Sequence, residues 1–231
     1  SAASDVYKRQ LLRRETPVLG GYNREDYRAY RDWAPAADGT LIPISVIHRA
    51  DLDMSKPHPV IQYGYGSYES SMDPMFSIPM LSILDRGVIY VIAHIRGGGE
   101  MGRSWYQNGK KLAKKNTFTD FVDVTSYIAA KPWADEARIG CYGGSAGGLL
   151  MGAVVNLAPE KYAACLAAVP FVDALTTILD PELPLSAMEW EEWGNPIEDP
   201  EVYAYMKSYT PYENIRPVRY PAIAAVTSLH D

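Results

Sequence analysis

Glycine crowds the one place in this chain where a strand-like run meets a helix-like run. Ala137 to Tyr142 reads as an apolar strand and Ala146 to Leu157 as an apolar helix. Between them stands Gly143-Gly144-Ser145-Ala146-Gly147. A bend too sharp for neighbouring Cβ atoms needs glycine on both sides. A serine at such a bend is held in a strained backbone conformation, as functional side chains often are. The pattern G-x-S-x-G is weak alone, because glycine and serine are common and many matches are plain turns with a capping serine. Its setting between strand and helix is the one that a nucleophile elbow requires. The helix opening behind Ser145 also aims free N–H groups at the place where an oxyanion would develop.

The surrounding pattern supplies a frame for that bend. Leu41 to His48 alternates after an Asp38-Gly39 turn, and Val60 to Tyr63 reads as another strand. Val88 to Ala93 is nearly all apolar, the signature of a strand buried on both faces. Ala163 to Val169 and Ala222 to Thr227 complete the strand set. Helices are expected over Pro79 to Asp85, over Thr117 to Lys131 and after Ser145. In the second, Thr117 is placed as the cap, Asp120 favours the positive end of the dipole, and Phe118, Phe121, Val122, Thr125, Ile128 and Ala129 share a face. Such alternation predicts an α/β fold of the α/β-hydrolase type, a mainly parallel sheet with helices on both faces. Chemistry in these sheets sits at the carboxyl ends of strands.

Composition narrows the classes. The formal charge of −6 argues against a general nucleic-acid binder, which needs a basic face. No run approaches the roughly 18 apolar residues of a membrane helix. Cys141 and Cys165 are the only cysteines, too few for a disulfide framework or a metal-type spacing, and a cytoplasmic, reducing setting is the simplest expectation. No metal or cofactor is implied. Residues 1–10 resemble a non-native scar. Residues 11–30, with Pro17 and Gly20-Gly21, read as a connecting segment, and 31–231 as one domain truncated at its C-terminus.

In this fold the triad acid follows the serine and the histidine follows the acid. Asp231 comes directly after the last strand, where a triad acid belongs, and where a solvated terminal aspartate would stand equally well. His48, His58 and His94 precede the serine, which is the wrong order, and His230 adjoins the acid that would have to orient it. The base is therefore expected beyond Asp231. Loss of such a base costs on the order of 10^6 in rate in a related mechanism, so this polypeptide alone is expected to be nearly inactive.

Two charged runs complete the inventory. Residues 180–201 carry Asp180, Glu182, Glu189, Glu191, Glu192, Glu198, Asp199 and Glu201 with Trp190 and Trp193 interleaved, and no lysine or arginine. This is either a solvated acidic face or a pocket for a cation. Lys110-Lys111-Leu112-Ala113-Lys114-Lys115 reads as a solvated basic helix face.

Longer stretches resemble a known family. They include Tyr63-Gly-Tyr-Gly-Ser-Tyr68, His94-Ile-Arg-Gly-Gly-Gly-Glu100, Lys115-Asn-Thr-Phe118, Gly143 to Gly152, Val169-Pro-Phe-Val-Asp173, Glu189-Trp-Glu-Glu-Trp-Gly-Asn-Pro196 and Tyr205-Met-Lys-Ser-Tyr209. Together they cover most of the chain from residue 17 onward, and they resemble the prolyl oligopeptidase family, in its oligopeptidase B branch. The resemblance implies a serine peptidase preceded by a β-propeller that admits only short peptides, with residues 11–30 as the exit from that propeller. It implies that Tyr65 donates its hydroxyl to the oxyanion beside the Ala146 N–H. It places Glu189 and Glu191 in a pocket for arginine or lysine before the cut. Asp73 keeps one of two acids that in the family favour a second basic residue, while Met75 replaces the other, so a preference for basic pairs should be weak. Other specificities within the family, an esterase, or a non-catalytic binding module on the same fold are the alternatives.

Overall fold

The computed structural model describes residues 17–229 and, as backbone, 2–5 and 10–13. Strands β1 (Ala2–Asp5) and β2 (Gln10–Arg13) pair as a separate antiparallel sheet, in part from residues expected to be a scar. The main sheet has seven strands: β3 (Tyr27–Pro35), β4 (Leu41–Arg49), β5 (His58–Tyr63), β6 (Ile89–Ala93), β7 (Ala134–Gly144), β8 (Ala164–Ala168) and β9 (Ala222–Val226). Their order is β3-β4-β6-β5-β7-β8-β9. The first two pairings are antiparallel and the other four parallel. The segment expected to be connecting thus runs into β3 at Tyr27, which is paired with β4 along its whole length. The Asp38-Gly39 turn closes that hairpin, with Gly39 at φ 87°.

Helices cover both faces: α1 (Ile78–Leu84), α2 (Arg103–Gln107), α3 (Lys115–Ala129), α4 (Ala146–Leu157), α5 (Ala174–Ile178), α6 (Ser186–Trp193) and α7 (Pro200–Lys207). Strand alternation decides which side chain meets which helix. Along β6, Ile89, Val91 and Ala93 enter the main core with Phe118, Phe121, Val124 and Ile128 of α3 and Leu149, Leu150 and Val154 of α4. Tyr90 and Ile92 point the other way and meet Ile47 and Leu84, the last residue of α1. Each fully buried side chain of this size contributes about 1.5–3 kcal/mol. Removing the Phe121 ring would leave a cavity costing about 3–5 kcal/mol. Among the described residues no helix is long and apolar enough to cross a membrane.

The start of α3 differs from expectation. The helix begins at Lys115, and Thr117 lies inside its first turn. Its hydroxyl donates to the Arg96 carbonyl at 2.7 Å instead of capping. Asp120 is fully buried and accepts the Arg96 guanidinium at 2.8 and 2.5 Å and the Arg96 amide at 3.0 Å. A buried carboxylate needs such a partner far more than it needs a helix dipole.

The Lys110–Lys115 run is not a solvated helix face. Lys110 and Lys111 pair with Glu191, Lys114 is buried, and Lys115 lies 5.2 Å from the Tyr205 ring centre. Three helices, α5, α6 and α7, occupy the stretch between β8 and β9, where residues 180–201 gave no helical apolar stripe to read.

Candidate active site

The sharp bend at the end of β7 is present. Ser145 has φ 57° and ψ −118°, a conformation that residues with a Cβ avoid and that costs about 1–3 kcal/mol. Its neighbours permit it. A Cβ on Gly143 would lie 2.3 Å from the Gly147 carbonyl oxygen, and one on Gly147 would lie 2.8 Å from that of Gly64. Hydrogen bonds pin the bend: the Ser145 N–H donates to Ala168 at 2.9 Å, and the Gly148 N–H donates to Ser145 at 2.8 Å. The serine side is exposed while Ala146, behind it, is buried. The first amides of a helix have no intrahelical acceptor, and that of Ala146 opens α4.

Ser145 opens onto a cleft of about 530 Å³ whose walls include Ala146, Tyr68, Val169, Phe171, Asp173, Glu189 and Thr227. Six described residues other than glycine have positive φ, and four of them, Tyr68, Ser145, Val169 and Leu185, line this cleft. Backbone strain collects where a fold has to hold side chains in unusual places.

Tyr65 follows β5 and packs on the elbow, since a Cβ on Gly147 would lie 3.3 Å from its ring. Its hydroxyl makes no hydrogen bond among the described residues. Burial pushes its pKa up, with the charges of Glu192 and Glu189 adding to the effect, so the group stays a donor. Glu189 of α6 is held by two donors on one oxygen: the Tyr68 hydroxyl at 2.6 Å and the Trp193 indole N–H at 2.8 Å both bond Oε2. Neither of these bonds uses Oε1, and Glu189 lines the cleft. Tyr68 is pushed well up by its own burial and by this carboxylate.

Of the expected residues, Ser145, Ala146 and Glu189 line the cleft, and Tyr65, packed on the elbow, is not among its lining residues. Glu191 is outside the lining of the cleft and 75 % exposed at its side chain, where Lys110 and Lys111 donate to it at 2.7 and 3.2 Å. These lysines pull its pKa down. Asp73 is exposed and also outside the lining. Asp231 and His230 lie outside the described residues. The strand that leads to them, β9, ends next to Thr227, which does line the cleft. His94 is buried with Nε2 at 2.9 Å from Ser45 Oγ, and the rings of His48 and His58 meet the Arg49 and Asp53 carbonyls. Among the described residues no cluster of His, Cys, Asp or Glu converges as a metal site would.

Sequence reading passed over Tyr68 and Asp173 as lining residues of the cleft. Both had a signal: Tyr68 ends a glycine-rich run after a strand, and Asp173 ends the quoted stretch Val169-Pro-Phe-Val-Asp173. Asp173 leaves one carboxylate oxygen buried and unpartnered in the cleft wall.

Residues 74–231 match the prolyl oligopeptidase family. Dipeptidyl aminopeptidase BI of Pseudoxanthomonas mexicana is 52% identical over 97% of this chain and 31% of its own length. Protease 2 of Moraxella lacunata is 43% identical over 93% of the chain and 31% of its own. Among solved structures, oligopeptidase B from Trypanosoma brucei with covalently bound antipain superposes with a TM-score of 0.95 at 44% identity, covering all of this chain and 32% of that one. Oligopeptidase B from Leishmania major gives 0.91 at 47%, covering 97% and 31%. The chain therefore spans about a third of the length of the relatives it matches.

Proposed function

The chain belongs to the prolyl oligopeptidase family, and from that premise we propose that it supplies the nucleophile, the oxyanion site and the specificity pocket of a serine peptidase that cleaves short peptides after arginine or lysine. Ser145 Oγ attacks the scissile carbonyl, its proton passing to a histidine that follows Asp231 in the full-length protein. Asp231 orients that histidine. Charge developing on the carbonyl oxygen is met by the Tyr65 hydroxyl and the Ala146 N–H, two donors fixed before the reaction starts. The amine leaves with the proton, and water then releases the acyl group from Ser145. The rest of the full-length protein includes a propeller that limits substrate size.

One observation carries this reading. An exposed serine at a strained elbow shares its cleft with Glu189, a carboxylate whose Oε2 is locked by Tyr68 and Trp193 and whose Oε1 neither bond uses. A guanidinium or ammonium desolvated against that oxygen gains a charge-assisted hydrogen bond of roughly 1.5–3 kcal/mol. That the Trypanosoma brucei relative holds antipain covalently supports a covalent mechanism for this chain. A panel of short fluorogenic peptides on the full-length protein tests the assignment: arginine and lysine before the cut should be turned over best. Better cleavage after alanine or proline would refute the basic pocket.

The name of the Pseudoxanthomonas mexicana relative supports a second reading, removal of N-terminal dipeptides. A carboxylate pairs with a terminal ammonium as readily as with a side chain. Blocking the substrate's N-terminus separates the two, because only the dipeptidyl reading loses turnover.

A further inference from the structure

Behind the Tyr65 loop lies a lysine that the cleft never touches. Lys114, just ahead of α3, is 1% exposed. Its Nζ donates to the Gly66 carbonyl at 2.6 Å and to Ser67 Oγ at 2.7 Å, and it sits 5.1 Å from the Trp193 ring centre. Gly66 follows Tyr65 directly, so the ammonium grips the backbone at the Gly66–Ser67 peptide, the second beyond the proposed oxyanion donor. Glu192 of α6, 3% exposed, grips the same loop two residues on: its Oε1 accepts the Tyr68 N–H at 2.9 Å and its Oε2 accepts the Tyr106 hydroxyl at 2.6 Å. Neither Lys114 nor Glu192 lines the cleft.

A buried ammonium is expensive unless other groups hold it charged. Burial pushes the Lys114 amine down to about 7 against the opposing pull of Glu192. The loop needs such holding. Gly66 has φ 73°, which glycine adopts freely, but Tyr68 and Glu69 have φ 58° and 57°, a left-handed backbone that residues with a Cβ rarely hold. Placing a hydroxyl against a developing oxyanion tolerates little play.

Resting on the peptidase reading above, we propose that Lys114, assisted by Glu192, is a positioning residue for catalysis, fixing the Tyr65 hydroxyl in the oxyanion site through the Gly66 carbonyl, Ser67 and Tyr68. Lys114 touches neither substrate nor Ser145. The route proposed to the reaction is through Tyr65, so Lys114 should act on turnover more than on binding.

The test is a double-mutant cycle in the full-length protein with Lys114→Met, which keeps the chain length and apolar stem, and Tyr65→Phe. Lys114→Met alone should lower kcat at least tenfold while KM for an arginine peptide stays within threefold. In the Tyr65→Phe background the same change should cost less than threefold, because the donor it positions is gone. Glu192→Gln gives the second arm if Lys114→Met does not fold, with the same loss of effect expected once Tyr65 is phenylalanine. Equal losses in both backgrounds would reduce Lys114 to a general packing role and overturn the inference. So would a Lys114→Met enzyme of normal kcat in a protein whose parent is active. A parent with no Ser145-dependent hydrolysis would overturn this inference and the peptidase reading together.

Discussion

Tyr68 donates its hydroxyl to Glu189 Oε2 at 2.6 Å across 121 residues of sequence. Its own backbone N–H donates to Glu192, one turn further along the same helix. One tyrosine thus ties the loop carrying Tyr65 to the helix carrying Glu189, the proposed pocket acid. The two functions proposed for these segments, oxyanion stabilisation and recognition of a cation, share a mechanical connection. The strained φ of Tyr68 and the left-handed Leu185 ahead of α6 are the backbone cost of bringing them together.

Exchanging Glu189 for Gln should raise KM for arginine peptides roughly 10- to 150-fold, the equivalent of a lost charged hydrogen bond of about 1.5–3 kcal/mol. Poor neutral substrates should be unchanged. Steady-state kinetics with matched arginine and alanine peptides measure the difference. Glu191→Gln should have a much smaller effect, since its carboxylate is exposed and occupied by Lys110 and Lys111.

Tyr65→Phe removes one proposed oxyanion donor and leaves the ring packed on Gly147. Loss of such a donor costs about 10²–10³ in kcat elsewhere, and a comparable fall with little change in KM is expected here. A KM effect larger than the kcat effect would place Tyr65 in substrate binding instead.

Much of this could be read before any coordinates, for reasons that differ by residue. The elbow was legible because its constraint is local: a strained Ser145 between a strand and a helix demands glycine at adjacent positions. The buried β6 was legible because both of its faces are apolar. Lys114 was not, because its burial is decided by Gly66, Ser67 and Trp193, residues distant in sequence, and it sits in a run with three other lysines. Glu189, Glu191 and Glu192 look alike in the run Glu189-Trp190-Glu191-Glu192, yet helical rotation sends one to the cleft, one to the Lys110–Lys111 pair and one into the interior. No apolar stripe marks α6, so that division was hidden.

Acid should weaken the β3–β4 turn. Asp38 is held down at about 2, chiefly by bonds from Thr40 and also by Arg96. A carboxylate with a folded pKa below its ordinary 3.8 contributes stability above that value, and the contribution is lost as pH falls through about 2. Asp38→Asn should therefore lower Tm at neutral pH and narrow the gap to the parent as pH drops from about 4 toward 2. A gap that stays constant with pH would mean that the carboxylate's charge contributes nothing there.

The direct test of the central claim is covalent capture. The full-length protein treated with a fluorophosphonate, then digested and read by mass spectrometry, should carry the label on the peptide containing Ser145. Ser145→Ala should be folded, unlabelled and inactive on arginine peptides. Labelling confined to another residue, or peptide hydrolysis that survives in Ser145→Ala, would contradict the account.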